Sequence, residues 1–174
     1  TDLLGFDFDF KEKYILVNPG ASHHSRAWSS EKYSELINYI LNNSHYYVLL
    51  TGCKNDMVIT NSIIKAVSNQ RLLDFTGQTS VIELIEIIRL AKFVISNDSA
   101  SVHIAYAVGT KAICISGGNN FGRFVPYPVN NNKNYPLTFY PEKCLKNNWN
   151  CSKSHKCINE IDTNLVKNYI KLIF

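Results

Sequence analysis

Long hydrophobic runs are missing from this chain: none approaches the roughly 20 apolar residues that a bilayer-spanning helix requires. The opening stretch, TDLLGFDFDFKEK, lacks the basic-then-apolar order of a signal peptide, so the expectation is a cytosolic protein. Cysteine is scarce and odd in number, five in 174 residues. Cys53 and Cys114 fall in apolar, strand-like runs, while Cys144, Cys151 and Cys157 gather near the end, an arrangement that argues against a disulfide framework. Charge of one sign is not concentrated either. A formal charge of +4 mildly favours an anionic partner, but the basic residues are scattered and give no support to a nucleic-acid reading. No strand leads into GxGxxG and there is no GxxxxGK[ST], which speaks against standard dinucleotide and P-loop sites.

What is present fits one globular domain, since 174 residues with 45% apolar content bury a sizeable core without staples. Strands and helices alternate. Strands are expected at Tyr14–Asn18, Tyr46–Thr51, Leu72–Phe75, Phe93–Ser96 and Ala112–Ser116. Between them lie helical patterns at about 31–42, with Tyr33, Leu36, Ile37, Ile40 and Leu41 on one face, and at about 56–68, carrying Val58, Ile59, Ile63, Ile64 and Val67. Ser80 and Glu83 have capping-box spacing ahead of a stripe of Val81, Leu84, Ile85 and Ile88. A final helix over 164–174 presents Leu165, Val166, Tyr169, Ile170 and Ile173. Regular alternation predicts an α/β fold with a parallel sheet covered by helices on both faces.

The most informative segment is FVISNDSASVHIAYAVGT, where an apolar strand meets a polar elbow and then a small-residue helix that Gly109 stops. Free N–H groups at such a helix start favour a phosphate, both by hydrogen bonding and through the macrodipole. Asp98 and Ser99 also fit as ordinary helix caps, and a lone helical His such as His103 is more often a packing residue than a functional one. In a parallel sheet the loops beyond the strand ends share one rim. Here they read NPGASHHSRAW, TGCKND, TGQTS, NDSAS and SGGNNFGR. Each alone is compatible with a turn, but five polar loops on one edge point to a ligand site.

NPGAS followed by RAW, LLTG followed by Asp56, DFTGQTSVIEL, FVISNDSASVHIAYAVGT and GGNNFGRFVPY occur in the order and spacing of glycosyltransferase family 9. From about Tyr14 to Tyr127 the chain resembles the C-terminal half of these heptosyltransferase-like enzymes. The resemblance implies a GT-B enzyme of two Rossmann-like domains, of which residues 14–174 match the donor-binding one. Residues 1–13 are then an interdomain linker or boundary, and the acceptor-side domain with its acidic general base has no counterpart here. A late helix in GT-B enzymes often crosses back to the other domain, so the closing helix is expected to lack its natural partner.

Carried over by position, the family's phosphate-binding lysine falls on Arg26, which keeps the charge but offers a planar fork instead of a point charge. The competing reading of Arg26 is a surface arginine lying over Trp28. Ser22 would add a hydroxyl to the phosphates. In the family's DSG-x-x-H element the chain has Asp98, Ser99, Ala100 and His103. Alanine in place of glycine keeps the backbone N–H while narrowing the approach. Thr79 matches a position whose backbone contacts the base. Asp56 lies near the acidic ribose position, or is simply a helix N-cap. Asp98 binds sugar hydroxyls or steers His103; the sequence leaves both open.

The chemistry implied is inverting transfer of a heptose or related sugar from a nucleoside-diphosphate donor, ADP-heptose being the family example. Its acceptor would be a lipopolysaccharide core or another glycan or lipid-linked acceptor, met in the cytoplasm or at the inner face of the inner membrane. Arg26 and the amides at Ser99 and Ala100 would stabilise the departing phosphate in place of a metal. No rim loop carries a DxD elbow. Cys144, Cys151, His155 and Cys157 are spaced more loosely than structural zinc ligands, so packing is the favoured reading for them. Packing is likewise favoured over sugar stacking for Tyr127, Tyr135, Tyr140 and Trp149. The alternative to a transferase half is a non-catalytic nucleotide-binding or interaction module that retains the scaffold, to which the departures at Arg26 and Ala100 lend support.

Overall fold

A computed structural model describes residues 8–23, 26–118, 121–127, 136–141 and 156–173. Its centre is Tyr14–Asn18 (β1), a five-residue run of aromatic and branched side chains buried at every position, as a strand covered on both faces requires. Tyr47–Leu50 (β2), Leu72–Asp74 (β3), Val94–Asn97 (β4), Ala112–Ile115 (β5) and Leu137–Phe139 (β6) join it in the order β3-β2-β1-β4-β5-β6. All neighbouring pairs are parallel, so the strand ends share one rim and the chain reverses direction across the sheet between β1 and β4.

Alternation along each strand divides the core. Ile15, Val17, Val48, Leu50, Ile95, Ile113 and Ile115 face one way, against Ser30–Asn43 (α1), Met57–Ala66 (α2) and Thr163–Lys171 (α5). Tyr14, Leu16, Leu49, Val94 and Ala112 face Val81–Leu90 (α3) and Ala100–Val108 (α4). Local signals set the helix starts. Ser29 accepts from Lys32 N–H ahead of α1, and Ser80 with Glu83 closes a reciprocal capping box ahead of α3. Gly109 ends α4 at φ 80°, a backbone conformation that costs glycine no steric strain.

Several expectations need correction. Val58 and Val81 are exposed at 76% and 69%; α3 buries Ile88, as expected, together with Ile87. A helix over one sheet face needs only a narrow stripe, so its outer apolar residues stay in solvent. Cys53 lies beyond β2 and is exposed, at the head of a 3₁₀ turn over Lys54–Asp56. β6 extends the sheet past the strand where the alternation was expected to stop. The closing helix packs within this domain: Val166 and Ile170 join the main core, Leu165 is exposed, and Thr163 and Lys167 bond to Glu35 of α1. Within the segment read as a linker, Phe8 and Phe10 set their rings against Tyr14 and Phe75. Cys144, Cys151, His155, Tyr135 and Trp149 lie outside the described residues. Cys157 is buried, with Sγ 3.4 Å from Gly117 O, and the described residues hold no metal-binding cluster. Tyr140 packs edge-on against Phe121. No described helix is long and apolar enough to cross a membrane.

Candidate functional site

The site is built at the β1/β4 reversal, where two loops must open apart and leave a crevice. Asn97, the last residue of β4 and fully buried, holds the two sides together. Its amide nitrogen donates to Pro19 O at 2.6 Å and Gly20 O at 3.2 Å, while its side-chain oxygen accepts from Trp28 N–H at 3.0 Å. One side chain thus clamps both ends of the loop that carries Ser22 and Arg26. A second tie crosses the crevice: Asn18 Nδ2 donates to Ser101 Oγ at 2.8 Å, joining the end of β1 to the first turn of α4.

The loop's far end is supported from below. Trp28 is buried, packs edge-on to Tyr33, and donates from Nε1 to Ile161 O. Asn159 accepts from Ser29 N–H. Lys32 Nζ lies over the Trp28 ring, 5.7 Å from its centroid. Arg26 lines a cleft of about 350 Å³ with Ser22, Asp98, Ser99, Ala100, His103 and Phe124. Its Nη1 stands 3.5 Å from Ser22 Oγ.

Ser99 occupies the N-cap position of α4 without capping it. Its hydroxyl turns to Ser96 Oγ at 2.8 Å, so it does not occupy the amides of the first turn. Asp98 is mostly buried, and Nε2 of His103 stands 3.7 Å from its Oδ1. Burial pushes the Asp98 carboxyl above its ordinary range, while the nearby His103 and Arg26 oppose that rise. The other nitrogen of His103, Nδ1, hydrogen-bonds to the Tyr127 hydroxyl. The cleft therefore offers cationic and N–H groups beside one carboxylate, a set suited to an anion carrying hydroxyls.

Two expected residues lie apart from this cluster. Asp56 lines a neighbouring hollow of about 700 Å³ that also includes Ser22, Gly20 and the start of α1. Its Oδ2 accepts from Cys53 N–H at 2.8 Å, so it caps the 3₁₀ turn and not α2. The same carboxylate rests on Gly20, where an added Cβ would come within 2.3 Å of it. Thr79, on the loop after β3, lines neither cavity. Asn97 and Tyr127 were not expected as site residues. Asn97 stood in the quoted elbow as a turn former, and Tyr127 closed the GGNNFGRFVPY segment as a packing aromatic.

Comparison with known sequences decides the affiliation: the profile of glycosyltransferase family 9 (heptosyltransferase) matches residues 4–155. The chain belongs to glycosyltransferase family 9. Lipopolysaccharide heptosyltransferase 3 of Escherichia coli K12 is 27% identical over 121 residues, 69% of this chain and 35% of that protein. The chain spans only about a third to a half of the curated relatives it matches, 35% of one and 51% of another. The fold agrees. The solved E. coli ADP-heptose heptosyltransferase II superposes with a TM-score of 0.76 at 19% identity, over 97% of this chain and 48% of that one. An E. coli heptosyltransferase solved with ADP-2-deoxy-2-fluoro heptose gives 0.69 at 18% identity, over 92% and 43%. This family 9 chain therefore has the Rossmann-like architecture of a GT-B domain.

Proposed function

We propose that this chain is the donor-binding half of an inverting family 9 glycosyltransferase. It would bind a nucleoside-diphosphate sugar of the ADP-heptose kind, as the structural neighbour crystallised with ADP-2-deoxy-2-fluoro heptose does. The observation that carries this reading is the convergence of Ser22, Arg26, Asp98, Ser99, Ala100 and His103 on one cleft at the β1/β4 reversal. In transfer, an acceptor hydroxyl attacks the anomeric carbon, the bond to the distal phosphate breaks, and the nucleoside diphosphate leaves with the electron pair. Arg26 and the first-turn amides of α4 face the growing charge on that phosphate, where fixed donors help most because they need no reorganisation. Asp98 is placed for sugar hydroxyls and for His103. The hollow beside Asp56, with Thr79 on the next loop, takes the nucleoside. A second GT-B half supplies the acceptor, a lipopolysaccharide core, and the base that removes its proton, at the cytoplasmic face of the membrane.

Calorimetric titration with ADP, UDP, GDP and CDP, without and then with magnesium, tests the reading. ADP is expected to bind without magnesium. Arg26→Ala should weaken it roughly 10- to 100-fold, the worth of a charge-assisted phosphate contact. Binding indifferent to Arg26, or no binding of any of the four, would sink the proposal and leave a scaffold role.

A further inference from the structure

Tyr127 lies 24 residues beyond His103 in sequence, yet the two side chains are joined. The Tyr127 ring stacks on Tyr106 at a centroid distance of 4.1 Å and an interplanar angle of 15°. Tyr106 is three residues after His103 and therefore on the same face of α4. The same tyrosine ring meets the imidazole edge-on, 5.8 Å between centroids at 76°. This stack places the phenol oxygen on Nδ1 of His103 and leaves Nε2 toward Asp98, at 3.7 Å from Oδ1.

We infer that Tyr127 is a positioning residue whose hydroxyl donates a hydrogen bond to Nδ1 of His103 and so directs the ring's N–H to Nε2. Two ends of the ring demand the same answer. A phenol keeps its proton at neutral pH, more so here because burial and then the neighbouring Tyr106, Asp98 and Cys114 push its pKa up. Tyr127 is therefore the donor, and Nδ1 the acceptor. At the other end, a bare lone pair on Nε2 would face the Asp98 carboxylate and be repelled, whereas an N–H there is attracted. His103 consequently enters the cleft as a hydrogen-bond donor beside Arg26, and not as a base at Nε2. That last consequence rests on the donor-site reading; the tautomer itself does not.

Long-range ¹H–¹⁵N correlation on ¹⁵N-histidine-labelled protein, with His103 assigned through His103→Gln, reads the tautomer without any ligand. The expected wild-type pattern is an Nε2 resonance of the protonated kind and an Nδ1 resonance of the accepting kind, well separated. Tyr127→Phe keeps the stack on Tyr106 but removes the phenol hydroxyl, so the two resonances should draw together as the tautomers mix. A proton on Nδ1 in the wild type overturns the inference even if the variant fails to fold. So does a folded Tyr127→Phe whose separation is unchanged. Because no nucleotide is present, a failure here is distinct from a failure of donor binding.

Discussion

Asn97→Ala is expected to lose about 3 kcal/mol of folding stability or more, and nucleotide binding with it. The substitution strips partners from three groups at once: the carbonyls of Pro19 and Gly20 and the N–H of Trp28. Pro19, Gly20 and Trp28 are all buried, so water does not readily replace the lost amide, and each stranded group costs about 1–3 kcal/mol. For a chain of this length the melting midpoint should fall by roughly 6–12 °C. Asn97→Asp separates geometry from mere volume. It keeps the acceptor for Trp28 N–H but aims an oxygen at two carbonyl oxygens, so it should be at least as damaging as alanine. An aspartate variant with wild-type melting would mean that the loop carrying Arg26 is not held by this side chain.

Gly20→Ala is the second large effect, and its signature is rescue. The new Cβ would stand 2.3 Å from Cγ and Oδ1 of Asp56, a short side chain tied down by Cys53 N–H at 2.8 Å. Either the carboxylate leaves its cap or the loop after β1 lifts, and overpacking of this kind costs about 1–3 kcal/mol. Asp56→Ala alone gives up a cap worth about 1 kcal/mol. In the double variant the methyl occupies space the carboxylate vacated, so Gly20→Ala/Asp56→Ala should melt close to Asp56→Ala. Chemical denaturation of all four proteins gives the coupling directly. Strict additivity would show that the first and second rim loops do not meet through this contact.

β1, β2, β4 and β5 were legible because each is a largely buried run rich in apolar residues, a pattern that no polar loop imitates. Helix starts were legible where a local cap wrote them, as at Ser80 and Glu83. β6 was not, because three residues, Leu137–Phe139, carry too short a pattern to stand apart from their surroundings. The cleft was readable as a set of loop residues through the family resemblance, but its holding parts were not. Asn97 bonds to residues 69, 77 and 78 positions away, and an asparagine at a strand-to-helix elbow looks like any turn former. Tyr127 acts only through a stack whose other member, Tyr106, looks in sequence like one more helix aromatic.

The matched family profile ends at residue 155, yet the underpinning of Trp28 and Ser29 comes from Asn159 and Ile161. Lys32 reaches the same Ile161 carbonyl at 2.6 Å, so the head of α1 leans on a stretch beyond the end of the profile match. The profile match and the contacts that hold the Arg26 loop therefore end at different places. A gene trimmed at the end of the profile match would encode every rim loop and still deprive the Arg26 segment of its foundation. Asn159 also lines the hollow beside Asp56, so one short stretch both props the loop and borders the cavity next to it.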